Sequence, residues 1–125
     1  MNKKFSLDMY HFTGSDTAFK HWISPLRYTE GVRYLAEETE SYWLIDTIAF
    51  VIFPRLLKEN KDWFYSIEFS VNRNGSAVMS VSDGNGNMYL KHSIKWTDFP
   101  YIEKPVKFFL CESEVYYCLM LPSEY

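Results

Sequence analysis

One acidic side chain stands out as a candidate for acid–base chemistry. Asp46 lies inside the apolar stretch YWLIDTIAF, where an unpaired buried carboxylate would cost several kcal/mol. We therefore expect Asp46 to have a partner, either His21, Arg27 or Arg33 of the preceding segment or the backbone amides of a loop. Such a pair would fix the packing of a helix, or it would make Asp46 a catalytic acid or base. The third alternative is that Asp46 is simply exposed to solvent.

Asp98, in the stretch TDFP, is a second candidate acid. An Asp before an aromatic–Pro step usually accepts hydrogen bonds from amides of its own turn, and a role in a functional site is the alternative. A small enzyme that uses Asp46 or Asp98 with His21 is therefore one hypothesis for function. The sequence contains no nucleophile elbow, no phosphate-binding glycine loop and no paired His–Glu motif, so it indicates no particular reaction.

The histidines and cysteines do not form a metal-binding pattern. His11, His21 and His92 have no metal-ligand spacing among themselves or with Cys111 and Cys118, so we expect no metal and no cofactor. The two cysteines fall in one predicted hairpin, at positions that we do not expect to face each other. We therefore predict reduced thiols in a cytoplasmic protein.

The stretch VSDGNGNM (81–88) has two competing interpretations. Alternating Asp and Asn residues are typical of a calcium loop, whereas two glycines between apolar runs are typical of a hairpin turn. A helix–loop–helix calcium site needs glycine at its sixth position and an acidic residue at its twelfth, which here are Met88 and Ile94. A four-residue turn over 83–86 instead sets Val81 opposite Met88, so we predict a structural turn.

The first half of the chain has helical patterns. Capping residues and apolar spacing predict a short helix over 13–22, a second over 29–38 and a buried third over 41–57. Pro54 should kink or loosen the third helix one turn earlier, because proline removes a backbone donor and its ring clashes with the preceding turn.

The second half has strand patterns. Apolar residues alternate from Trp63 to Val71, and a three-residue turn with a left-handed Gly75 sets Val71 opposite Ala77. Further strands are predicted over 88–96, 106–110 and 115–121. Helices followed by strands indicate a single α+β domain over 1–125, with N-terminal helices packed on one face of an antiparallel sheet of about five strands.

Six stretches carry a resemblance to a known family: FTGSDTAFKHW, YTEGVRYLAEE, YWLIDTIAF, DGNGN, TDFP and LPSEY. In this order they resemble small bacterial proteins with the domain of unknown function DUF6876. The resemblance implies a self-contained domain, often found in genomes rich in plasmids and phages, and it implies no activity. The chain departs from the family pattern after Ala49, where the bulky FVIFPRLL replaces a shorter, more polar helix end.

Composition excludes several functions. The net charge of −3 disfavours nucleic acid as a partner, because phosphate binding needs clustered Lys and Arg. The longest apolar run, 42–53, is interrupted by Asp46 and Thr47 and is too short to cross a membrane.

Aromatic residues make up 19% of the chain, more than a core of this size needs. On the strand face opposite the predicted core, the pattern places Phe64, Tyr89, Phe109, Tyr116 and Met120 among lysines. Large rings among charges are typical of a binding surface. We therefore predict a non-enzymatic protein-binding module, with an anti-defence or regulatory role on a mobile element. Its partner would be another protein or a second copy in a homodimer, and a purely self-associating structural module is the alternative.

The turn interpretation of VSDGNGNM predicts that calcium does not stabilise the protein. Titration with calcium, followed by the melting temperature, should show no shift, because one carboxylate is too few for a tight site. A rise of several degrees at submillimolar calcium would overturn this interpretation.

Overall fold

The computed structural model describes residues 18–21, 26–59, 62–101, 103–112 and 116–125. Strands β1 (Ala18–Lys20) and β2 (Arg27–Thr29) come first, followed by helices α1 (Glu30–Glu38) and α2 (Tyr42–Thr47), a π-helical turn (Ile48–Ile52) and helix α3 (Phe53–Glu59). Strands β3 (Phe64–Val71), β4 (Ala77–Ser82), β5 (Met88–Ile94), β6 (Val106–Glu112) and β7 (Tyr117–Met120) follow, with a 3-10 turn at Pro122–Glu124.

The strands of the described residues form one seven-stranded mixed sheet in the order β1-β2-β7-β6-β3-β4-β5. Neighbouring strands are antiparallel, except that β2 runs parallel to β7. The chain is an α+β protein, but the predicted architecture of N-terminal helices on an antiparallel sheet of about five strands is wrong. The sheet has two more strands than expected, and more of the described residues lie in strands than in helices.

The helix predicted over 13–22 is wrong where the structure describes it, because Ala18–Lys20 is β1. Phe19 lies opposite Tyr28 of β2, with ring centroids 5.7 Å apart, and β2 in turn pairs with β7. Pairing with strands elsewhere in the chain overrides the local helical pattern, since propensity is a weak constraint. Residues 13–17 and 22 of that predicted helix lie outside the described residues.

Helix α1 begins at the predicted cap and is joined there to the last turn of the chain. Thr29 Oγ1 accepts a hydrogen bond from the Val32 amide and donates one to Glu124 Oε1 at 2.5 Å. Glu124 also accepts from the amides of Gly31 at 3.2 Å and Leu121 at 3.0 Å. A Cβ at Gly31 would lie 2.5 Å from Glu124 Oε1, so only glycine fits this close approach.

The third predicted helix is interrupted by a π-helical turn. The Phe53 amide bonds to the Ile48 carbonyl, five residues back, over Ile48–Ile52. Pro54 follows at once and has no amide to donate, which accounts for the loosened turn before it. The predicted effect of Pro54 is confirmed.

The first hairpin has the predicted register and the second does not. Val71 lies opposite Ala77 across a turn in which Gly75 has a φ of +91°, as expected. In the second hairpin Val81 faces Leu90 rather than Met88, because Asp83 closes a longer turn and the register shifts after Val81.

The core lies between the helices and one face of the sheet. Tyr65, Ile67 and Phe69 of β3 are fully buried there. Phe108 and Leu119 line the same interior with side chains of α1, α2 and the π-helical turn. Among the described residues, no helix is long and apolar enough to cross a membrane.

Three tyrosines fix the segment that precedes β3. The Asp62 amide donates to Tyr65 Oη at 2.6 Å, Tyr89 Oη donates to the Asp62 carboxylate at 2.9 Å, and Tyr117 Oη donates to the Asp62 carbonyl at 2.5 Å. The bond to Asp62 raises the pKa of Tyr89 to about 12, and burial raises the pKa of Tyr117 to about 12.

The hairpin of β6 and β7 also differs from expectation. Cys111 lies directly opposite Cys118, so the prediction that they do not face each other is wrong. The strand β6 continues past its predicted end at Leu110, because the Glu112 amide still bonds to the Trp63 carbonyl at 2.8 Å.

The Glu124 contacts predict a large loss of stability in Glu124→Ala. The variant would leave the Thr29 hydroxyl and two buried amides without their acceptor, at a cost of about 2–4 kcal/mol. Urea unfolding measures the loss. Glu38→Ala, at an exposed position of α1, is the control and should change stability by less than about 0.5 kcal/mol. Equal midpoints for Glu124→Ala and the parent would contradict the expected role.

Candidate functional site

The sheet face turned away from the helices is the candidate site, and we call it the outer face. Because side chains alternate along a strand, the residues between the buried core positions point to this side. The outer face consists of Phe64, Ser66 and Glu68 of β3, Lys107, Phe109 and Cys111 of β6, and Cys118 and Met120 of β7.

Four rings form an aromatic cluster at one end of the outer face: Trp63, Phe64, Phe109 and Tyr125. The Phe64 ring lies 4.9 Å from Phe109, 5.6 Å from Trp63 and 5.7 Å from Tyr125, and Phe109 lies 5.5 Å from Tyr125. These distances are typical of edge-to-face aromatic packing. Trp63 is 60% exposed and Tyr125 67% exposed, so the cluster presents large apolar rings to solvent.

A shallow groove of about 430 Å³ runs between the aromatic cluster and the turn that follows β4. The turn contributes Asp83, Gly84 and Asn85, and Lys107 lies on the opposite side. At Gly84, with a φ of +84°, an added Cβ would lie 3.3 Å from the Phe64 ring. The glycine therefore lets the turn close against the aromatic cluster.

The carboxylate of Asp83 is used within its own turn. It accepts hydrogen bonds from the Asn87 side chain at 2.7 Å and from the amides of Asn85 at 2.7 Å and Asn87 at 3.1 Å. The Asn87 side chain and the Asn85 amide lower the pKa of Asp83. Among the described residues, no group of three His, Cys, Asp or Glu side chains could hold a metal ion.

Charges border the rings. Lys107 Nζ lies 3.6 Å from Glu68 Oε1, and both side chains are about half exposed. Such a surface pair contributes little to stability, about 0–1 kcal/mol. It does give the outer face a polar margin.

Three of the five predicted binding residues, Phe64, Phe109 and Met120, lie on the outer face, with Phe109 directly opposite Met120. Tyr116 packs under the Arg27 guanidinium, 4.5 Å from its ring centroid. Tyr89 does not join them. Its ring packs against buried Tyr65 at 5.5 Å, because the register shift in β5 turns it toward the core.

Sequence reasoning missed the two most exposed rings of the cluster. The alternating pattern that starts at Trp63 predicts a buried side chain at that position. The strand begins only at Phe64, so the pattern does not apply to Trp63. Tyr125 follows the 3-10 turn at Pro122–Glu124 and has no periodic neighbours. The exposed position of Tyr125 depends on that turn, and no sequence signal indicates it.

Asp46 is paired with one of its predicted partners. His21 Nε2 lies 2.7 Å from Asp46 Oδ1, and the His21 ring packs edge-on against Phe50 at 5.1 Å. Asp46 is less buried than its apolar surroundings in the sequence suggest, since its side chain is 39% exposed and that of His21 is 2% exposed. An imidazole with so little access to solvent is poorly placed to reach a substrate, so the pair favours a structural role.

Asp98 lies in a separate open groove of about 490 Å³, together with His92, Thr47, Trp43 and Trp96. Its neighbours there do not include His21. The structure thus brings together His21 and Asp46, whereas Asp98 lines a groove to which neither of them contributes.

Comparison with known proteins gives a family and a fold. A family model described as a family of unknown function, DUF6876, matches residues 3–125. The chain belongs to DUF6876. The resemblance carried by the six stretches is confirmed, and the structure shows two of them in contact, since Thr29 and Gly31 of YTEG bind Glu124 of LPSEY.

The DUF6876 chain is also similar to a solved structure, the crystal structure of the protein of unknown function from Enterococcus faecalis. The TM-score is 0.56 at 17% sequence identity, over 96% of this chain and 98% of that chain. At this identity the likeness shows the fold alone. A search of curated proteins finds no significant match.

The His21–Asp46 contact predicts that Asp46→Ala destabilises the protein. We expect a loss of about 1–2 kcal/mol, in the lower part of the range for buried pairs because Asp46 is half exposed. Asp46→Asn is the matched control, since its amide oxygen can still accept from the ring, and it should lose less than half as much. Urea unfolding distinguishes them. Unchanged stability of Asp46→Ala would mean that the contact contributes nothing.

Proposed function

We propose that this DUF6876 chain is a protein-binding module whose contact surface is the outer face. The observation that carries the proposal is the aromatic cluster, in which two rings more than half exposed are held in place by two half-buried ones. Protein interfaces commonly combine aromatic anchors with a polar, hydrated rim. The Lys107–Glu68 pair and the Asp83 turn provide such a rim.

The chemistry of the outer face favours a protein over other partners. A nucleic acid would need clustered basic residues, whereas the chain has a net charge of −3 and Lys107 is already paired with Glu68. A small ligand would need an enclosed cavity, and the groove beside the cluster is shallow. Flat rings with a charged border match the surface of another folded protein or a peptide that lies across the sheet.

A second copy of the chain is a natural first partner. Two outer faces can pack together as an isologous pair, in which the same residues contact each other across a two-fold axis. Sheets that pack face to face interdigitate their side chains in this way. Self-association and binding of a different protein both use the outer face. Because the family is associated with genomes rich in plasmids and phages, we propose that this binding serves a regulatory or anti-defence role.

The test removes the exposed rings and leaves the half-buried ones in place. In Trp63→Ala combined with Tyr125→Ala, we expect association to weaken more than about tenfold, because buried aromatic anchors dominate interface energies. Sedimentation velocity measures self-association, and capture from host lysate with mass spectrometry measures binding of another protein. Circular dichroism checks that the variant is folded.

Trp96→Ala is the matched control. Trp96 is 70% exposed but lies in the groove with Asp98, away from the aromatic cluster, so its removal should leave association unchanged. Three results would reject the proposal: an unchanged affinity in the double variant, an equal loss in Trp96→Ala, or a parent that stays monomeric and captures no specific protein.

A further inference from the structure

The two cysteines of the chain face each other across the β6–β7 hairpin. Cys111 and Cys118 are directly opposite in the antiparallel register, and the flanking pairs show no irregularity. Opposite residues of antiparallel strands have Cα atoms about 4.5–5.5 Å apart. A disulfide spans about 4.4–6.8 Å between Cα atoms, so the Cα separation of an opposite pair lies within the range of the bond.

Both side chains also point to the same side of the sheet, as opposite residues in a ladder must. Cys111 is next to Phe64 in the neighbouring strand β3, and Cys118 is next to Arg27 of β2. Both cysteines are free thiols and both are buried, with 9% and 8% exposure. They therefore have each other as the nearest reaction partner and little access to large reagents.

We propose that Cys111 and Cys118 are an oxidation site that forms an intramolecular disulfide with a low-molecular-weight disulfide as the oxidant. One cysteine thiolate attacks a sulfur of the small disulfide, which forms a mixed disulfide and releases one small thiol. The second cysteine thiolate attacks the protein sulfur of the mixed disulfide and releases the second small thiol. The protein loses two electrons and two protons, and the two released thiols gain them.

The surroundings of the two thiols set the rate of this reaction. Burial raises the pKa of Cys111 to about 11 and that of Cys118 to about 11. Only the thiolate attacks, so oxidation is slow at neutral pH, and its rate rises roughly tenfold for each unit by which the pH increases toward the pKa. The site thus responds to prolonged rather than to brief exposure to the oxidant at neutral pH.

The bond would lie in the outer face itself. The next pair of the hairpin on the same face is Phe109 and Met120, and Phe109 is part of the aromatic cluster. A disulfide would join the two strands at this point and would fix their separation beside the aromatic cluster. Disulfide formation in the isolated protein does not require that the outer face bind a partner.

The test treats the folded parent protein with hydroxyethyl disulfide, which is small and uncharged. We expect both free thiols to disappear, the protein mass to fall by two hydrogen atoms, and peptide mapping to link Cys111 to Cys118 within one chain. The oxidised protein should keep its circular dichroism spectrum and melt at or above the temperature of the reduced protein, since a compatible crosslink restricts the unfolded chain.

Cys111→Ser and Cys118→Ser are the matched controls, each with a single thiol. They should gain the mass of one bound small thiol or stay unmodified, and they should not lose two hydrogen atoms. The mass and peptide-mapping results for the parent protein test the proposal even if one of the variants does not fold. Persistent free thiols, mixed disulfides that do not resolve, links between chains, or a lower melting temperature after oxidation would each overturn the proposal.

Discussion

The contact between Glu124 and the start of α1 is the constraint on which the arrangement of the molecule depends. A buried carboxylate must receive hydrogen bonds, and here the hydroxyl of Thr29 and the amides of Gly31 and Leu121 supply them. Thr29 is also the last residue of β2, so the same contact holds β2 in parallel alignment beside β7. The first and last parts of the described chain are thereby joined at one point.

The rest of the structure follows from how the sheet uses its two faces. One face carries Tyr65, Phe69 and Phe108, which are buried with the helices in a single core. The outer face carries rings, thiols and charges in the same strands, because alternation sends every second residue to the other side. A single alternating pattern therefore produces both the stability of the domain and its candidate binding surface.

Local patterns in the sequence were enough to predict the features that depend on near neighbours. The cap of α1 at Thr29, the loosened turn before Pro54 and the register around Gly75 all rest on residues a few positions apart. The β1 and β2 strands could not be predicted, because each has three residues and β2 is held by a strand about ninety residues away. The predicted register of the second hairpin was wrong for a different reason, since hydrogen bonds to the Asp83 side chain set the length of its turn.

The parallel pairing of β2 with β7 has a consequence for the order in which the molecule is assembled. The strands β3, β4 and β5 are joined by short turns, so their pairing closes small loops at little cost in chain entropy. The β2–β7 ladder and the bond from Thr29 to Glu124, 95 residues apart, close a loop that spans almost the whole domain. Long-range closure of this kind slows folding, since the entropy is lost before the contacts form. The helices α1 and α2 lie within that loop, between the two strands whose pairing closes it.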